Sequence, residues 1–224
     1  MDPRLKPGSE QRGDGRPSAI RVEYHLNFTL IWRHFGRLAW GLVTSLELAV
    51  LAIVIGVVLG FALALVHVSG PRWARRLVVF YVETVRNVPL LLLVYLVFYG
   101  VPSVVQLDYS ATTSFVVTLS FYAAAYLVEV FRAGLLAIGP GLLDAGRAIG
   151  LTAFQRLIWV RLPIMVRVVL PSLSNTFVSL FKDTSVASVL SVPELTYGAQ
   201  WINFNTFRIV EVYLVVAPMY VVTG

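Results

Sequence analysis

Nineteen consecutive residues, Leu48–Val66, carry no charge at all. A helix of about 20 apolar residues is what it takes to cross the hydrocarbon core of a bilayer. The run is not alone. Long apolar segments recur down the chain, which is 58% hydrophobic and only 13% charged, against about 25% charged in soluble domains. A water-soluble core has no use for so many uninterrupted apolar runs. The chain is therefore an all-α, polytopic membrane protein.

The remaining composition excludes several functions. The formal charge is +6, but the basic residues are scattered among spans and loops. That suits membrane orientation better than nucleic-acid binding. There is no cysteine, so disulfides, thiolate metal sites and cysteine nucleophiles are out. His25, His34 and His67 are far apart and match no zinc spacing. No GxxxxGK[ST] loop is present, and the only lysines are Lys6 and Lys182, so ATP is not bound by that route.

The apolar pattern predicts about five spans. Residues 1–27 are polar and rich in glycine and proline, and read as a disordered arm with no secretory signal. Within 28–39, Phe28, Ile31, Trp32, Phe35 and Leu38 fall at helical spacing, with Arg33 and Arg37 on another face. This is an amphipathic interfacial helix or the start of the first span. The membrane domain follows, 40–224. Its spans are expected near Trp40–Val68, Val78–Gly100, Ala111–Leu136 and Met165–Leu190, with a fifth from Thr206. Gly56 and Gly60 form a small-xxx-small pair that lets another helix come close. From Thr206 to Gly224 is nineteen residues, roughly 28 Å of helix, which raises the expectation of a further C-terminal piece.

Basic residues set the orientation. The loop 69–76 has three arginines and the stretch 139–163 three more, so both are expected in the cytoplasm. The connections 101–110 and 191–207 have no Lys or Arg and are expected outside. Five spans then put the N-terminus outside. The arm argues the other way, with seven basic and four acidic residues in 1–39.

The stretch Gly139–Pro163 is a charged insert in a lipid-loving chain. Gly141–Ile149 can form a short helix, with Asp144 in its first turn where the dipole favours an acid. Gly150 can end it in a left-handed conformation. Thr152 with Gln155 is a capping box that starts a second helix, and Pro163 is expected to end or kink it. Ala145, Gly146 and Ala148 keep one surface thin. Two readings stand: a docking element for another protein, or an interfacial connector.

The order Asp144-Ala145-Gly146, Gly150, Leu162-Pro163 resembles the EAA loop of permease subunits in binding-protein-dependent ABC importers. Asp144 stands for the motif's Glu, Gly146 for its second Ala and Val160 for its Ile, with spacing preserved. Leu142 departs from the Gln often found there. Tyr81-Val-Glu83-Thr-Val-Arg86-Asn87-Val-Pro89-Leu90, Ala125-Tyr126-Leu-Val-Glu129-Val-Phe-Arg132-Ala-Gly134 and Lys182-Asp183-Thr184-Ser185, followed by Glu194-Leu195, are similar to signatures of the polar amino-acid importers. These matches cover about Trp40–Tyr220 in the right order.

The resemblance implies a type I importer permease fold in a bacterial inner membrane. It implies no catalytic residue, metal or cofactor in this chain, with ATP and Mg on a separate cytoplasmic ATPase dimer. The other implied partners are a second permease subunit, identical or homologous, and an extracytoplasmic binding protein that delivers the amino acid. Asp144, Ala145, Gly146, Arg147, Gly150 and Pro163 would couple to the ATPase. The RNVPL wording leans toward acidic or amide amino acids.

Two further groups stand out. Glu83 with Arg86 and Glu129 with Arg132 are three apart, so each can pair on one helix face. Charges in lipid need such partners. They are structural pairs, or they hold the inward gate. Asn175, Thr176, Ser179, Lys182, Asp183, Thr184 and Ser185 form a polar stripe in the fourth span. It is a translocation wall or interhelical hydrogen bonding. Pro171 in that span can free backbone groups. The alternative function is a self-sufficient secondary transporter or channel for small polar solutes, but no internal repeat is visible. A membrane enzyme has no nucleophile–base set to support it.

The orientation is testable in a chain without cysteine. A cysteine introduced at Ser103 is expected to react with an impermeant maleimide from outside, and one at Ala74 only after permeabilisation. The reverse pattern would overturn the topology.

Overall fold

The computed structural model describes residues 25–224; most of the polar arm at 1–27 lies outside the described residues. Helix α1 covers Thr29–Arg33 and α2 covers Phe35–Ser69. Helix α3 is Arg72–Asn87 and α4 is Leu90–Val105. Helix α5 is Ala111–Leu136 and α6 is Pro140–Ala148. The long α7 runs Ala153–Leu190, followed by α8, Leu195–Thr206, and α9, Ile209–Thr223. No strand occurs among the described residues. Three helices, α2, α5 and α7, are long and apolar enough to span a membrane, and the bent pair α3–α4 makes a fourth if it is one span, against the five expected; α9 is apolar but has only 15 residues.

Helix α5 is the centre. Along one side Phe115, Leu119 and Ala123 pack with Leu48 and Ala52 of α2 and Val94 of α4. Further along, Leu127, Phe131 and Leu135 meet Ala64 of α2 and Met165 and Val169 of α7. Val78 and Val82 of α3 close on Val128. The α2–α5 contact is very tight. A Cβ at Gly56 would lie 2.7 Å from that of Ala123, and one at Gly60 would lie 2.8 Å from that of Leu127. The small-xxx-small pair is thus the seat of α5. Gly134 does the same for α7, against Val169.

Three expectations are corrected. The second span is not one helix. Pro89 forces Val88 into extended backbone, φ −98° and ψ 132°, because its ring crowds the preceding residue out of the helical region. The chain turns by 106° between α3 and α4. The Asn87 side chain folds back and donates to the Glu83 carbonyl, one turn earlier, at 2.7 Å. Second, Pro163 does not end the helix it enters. A π-turn at Leu157–Arg161 precedes it, with the Leu162 N–H bonded to the Leu157 carbonyl. Widening the turn here makes room for a ring that would otherwise press on the carbonyl four residues back. The same device recurs in α4, where a π-turn at Leu96–Gly100 precedes Pro102. Third, the connection 191–207 is mostly helix. Ser191 at φ 59° ends a 3₁₀ segment, Thr184–Leu190, and α8 follows. Phe207, φ 55°, then turns the chain into α9.

Residues 28–39 are also divided. Helix α1 stops at His34, and Phe35 already belongs to α2. Ile31 and Leu38 are fully buried against Leu195, Ala199 and Ile202 of α8 and Val212 of α9.

The N-terminal end of α8 is held by a buried carboxylate. Glu194, 0% exposed, accepts from the backbone of Thr196 at 2.8 Å and Tyr197 at 2.6 Å. The hydroxyls of Ser45 and Tyr220 donate to it as well, each at 3.3 Å. One side chain therefore joins α2, α8 and α9.

The packing makes a paired prediction. Gly60→Ala puts a methyl into Leu127 and is expected to cost about 1–3 kcal/mol, as overpacking does. Gly36→Ala meets nothing within 4 Å and is expected to be neutral. Thermal unfolding of the purified variants in detergent separates the two.

Candidate functional site: the docking loop and the polar cavity

The insert folds as two short helical segments around a tight turn. Pro140 opens α6, where its fixed φ and missing donor cost nothing. Asp144 is the fifth residue of α6, in the second turn and not the first as expected. Its carboxylate instead pairs with Arg147 at 2.7 Å across the exposed helix face. The C-terminus closes in a double hydrogen bond: Leu151 N–H to the Gly146 carbonyl at 3.0 Å, and Gly150 N–H to that of Arg147 at 2.9 Å. This is the Schellman arrangement, which needs a left-handed residue; Gly150 provides it at φ +80°. Two residues on, Thr152 and Gln155 form the expected capping box, with bonds of 3.3 and 2.8 Å. Gly146 is buried, its Cα close to the Arg156 stem: an added Cβ would lie 3.3 Å from Arg156 Cγ and Cδ. The Arg156 guanidinium donates to the Leu151 carbonyl. Ala145 lies between the acid and this contact, and Pro163 lies beyond the π-turn that carries the loop into α7.

The charged pairs of the spans behave differently. Arg132 holds Glu129 through two donors, at 2.9 and 2.7 Å. No ion pair joins Glu83 to Arg86 among the described residues. Arg86 instead stacks over the ring of Tyr126, 5.0 Å from its centroid.

The polar stripe of α7 is split. Asn175, Thr176, Ser179 and Asp183 line a cavity of about 400 Å³ together with Tyr122 and Tyr126 of α5. Lys182 is exposed and lines none of it, and Thr184 is buried with its hydroxyl on the Phe181 carbonyl at 2.7 Å. Ser185 lies on the 3₁₀ segment, its carbonyl bonded by Ser188. The two tyrosine hydroxyls are 3.1 Å apart. A second cavity, about 310 Å³, holds Glu83, Arg86 and Asn87 and also reaches Tyr126. Tyr126 is thus the partition between the end of α3 and the stripe of α7. Such a wall, with one carboxylate, hydroxyls and an amide, can hold a small polar zwitterion.

Sequence reasoning passed over Tyr122 and Glu194 as site residues, and Tyr126 entered only within a motif. The tyrosines do carry a signal. They stand one turn apart, flanking Ala123–Ala125, where phenolic groups have no reason to face lipid. Glu194 has only one, a lone acid before an apolar helix start.

A polytopic helical protein with a capped, charged loop feeding one span and a polar cavity further along that span is a membrane transport subunit. Residues 52–224 match the family described as binding-protein-dependent transport system inner membrane component, and the chain belongs to it. It is 37% identical to the L-cystine transport system permease protein TcyB of Bacillus subtilis, over 82% of this chain and 78% of that one. It is 34% identical to the octopine transport system permease protein OccM of Rhizobium meliloti, with 85% and 81% covered. Identity to the glutamine transport system permease protein GlnP of Escherichia coli is 30%, covering 88% and 90%. A crystal structure of an amino acid ABC transporter with histidines superposes with a TM-score of 0.81 at 30% identity, covering 89% of this chain and 93% of that one. The MetNI methionine ABC transporter, at 18% identity and a TM-score of 0.66, shares the fold. The chain is therefore an importer permease of the inner membrane.

The caps predict the loop's rigidity. Gly150→Ala places a side chain at positive φ, a penalty of about 1–2 kcal/mol. Amide exchange across 140–156 is expected to accelerate several-fold, with the spans unchanged, by hydrogen-exchange mass spectrometry.

Proposed function

We propose that this chain is one of two membrane subunits of an ATP-driven importer for polar amino acids. Its 139–163 loop docks on a cytoplasmic ATPase, and its spans form half of the translocation pathway. The observation that carries this reading is the continuity of the loop with α7. The segment bearing Asp144, Arg147 and Gly150 enters, through Thr152 and the turn before Pro163, the same helix that presents Asn175, Thr176, Ser179 and Asp183 to the cavity. Motion imposed on the loop by a closing ATPase dimer is thereby delivered to the cavity wall.

Relatives named for glutamine and L-cystine support an amino acid as cargo. In this reading Asp183 faces the substrate's ammonium group, with the tyrosine hydroxyls and Asn175 beside it. The Glu129–Arg132 pair, at the loop-proximal end of α5, holds the inward gate, and Arg86 with Glu83 guards the neighbouring cavity. ATP and Mg are bound by the ATPase, and a binding protein delivers substrate from outside.

The test is reconstitution with the cognate ATPase and binding protein. Asp144→Lys is expected to leave insertion intact, to break the pair with Arg147 and to reduce uptake per ATP hydrolysed by about ten-fold, the equivalent of 1.4 kcal/mol of coupling. Unchanged ATPase retention and unchanged uptake would refute the docking role.

A further inference from the structure

We infer that the docking loop carries a second contact of opposite sign to Asp144: a cavity lined by Arg147, Arg156 and Arg161 that receives a carboxylate side chain of the ATPase subunit. The inference rests on the docking reading above and deepens it. The cavity, about 420 Å³, lies between the loop and the last turns of α2 at Leu65 and Ser69, and no acidic residue lines it. Three guanidinium groups share it with no acid in the lining to balance them.

Each arginine is accounted for differently. Arg147 is paired with Asp144 on the outer face. Arg156 is pinned, its stem against Gly146 and its head on the Leu151 carbonyl. Arg161 is only partly exposed and has no hydrogen bond or ion pair among the described residues. Five donors in a fixed fork, part-desolvated and unused, are the arrangement that matches an incoming carboxylate. The one acid nearby is already held within its own helix. An acid one methylene longer would swing away from Arg147 more freely. The net charge offered by this face is therefore positive.

The occupant is taken as protein and not a lipid headgroup because the cavity is lined by Leu143 and Arg147 of α6, the helix that the reading above docks on the ATPase. Phe154, which lines the cavity, is 71% exposed, an aromatic side chain of the type enriched at protein interfaces.

The experiment uses the full chain co-expressed with its cognate ATPase. Arg161→Glu is expected to lower ATPase retention about ten-fold and Arg161→Lys by less than about three-fold, since lysine keeps the charge but loses the fork. A photoreactive amino acid at Ser69 is expected to crosslink to an ATPase peptide containing Asp or Glu. If Arg161→Glu fails to insert, Arg161→Gln replaces it, and a crosslink yield unchanged by that variant overturns the proposal. Unchanged retention in Arg161→Glu, while Asp144→Lys still uncouples, sinks this inference and leaves the docking reading standing. If neither variant has any effect, both fall. A Ser69 adduct found on phospholipid alone also overturns it.

Discussion

Lipid tails are as apolar as leucine, so helices in a bilayer gain little by hiding leucine from their surroundings. What holds them is close approach and the few polar contacts that close approach permits. In this chain that constraint is met at Gly56 and Gly60, where α2 comes near enough to α5 to leave no room for a methyl group. The other spans then assemble on α5: α3 through Val128, α4 through Phe115 and Leu119, α7 through Phe131 and Leu135. Both candidate sites depend on this centre, since Tyr122 and Tyr126 sit on α5 and the capped loop leaves from its end.

The second theme is how the fold handles proline. Pro89 breaks the chain outright, and the break puts Glu83, Arg86 and Asn87 at an accessible helix end beside Tyr126. Pro102 and Pro163 are each preceded by a π-turn that keeps the helix going. The difference lies in what surrounds the ring. Where continuation is needed, one extra residue in the turn absorbs it; where a bend is needed, Val88 takes extended backbone and the Asn87 side chain folds back onto the last turn of α3. Glu194 does comparable work at α8, capping two backbone donors while tying three helices.

Much of this was legible in the residues. Uncharged runs marked the spans, and Gly150 with Thr152 and Gln155 marked the loop's turn, because caps are local chemistry. The bend at Pro89 was lost because Val78–Gly100 is hydrophobic throughout, and periodicity does not register a change of direction. Helix α8 was lost because its sequence has no basic residue and was read as a loop by charge alone. The division of the polar stripe followed from geometry: Lys182 and Asp183 are adjacent in sequence but about 100° apart around a helix. The non-pairing of Glu83 with Arg86 followed from a competitor on another helix, the ring of Tyr126, which spacing within α3 does not reveal.

The continuity of α7 has a mechanical consequence. A helix is stiff along its axis, and α7 stays helical from Ala153 through the turn before Pro163 to Asp183, lacking a backbone donor at Pro163 and at Pro171. The Ala153 end of the loop and the cavity wall are two ends of one rod, and Asp144 and Arg147 on α6 join that rod through the turn at Gly150. Its weaker points are the π-turn at Leu157–Arg161, where the ladder is looser, and Pro171, which supplies no donor. Loop exit and cavity wall therefore share a single element, and its rigidity decides how closely the one follows the other.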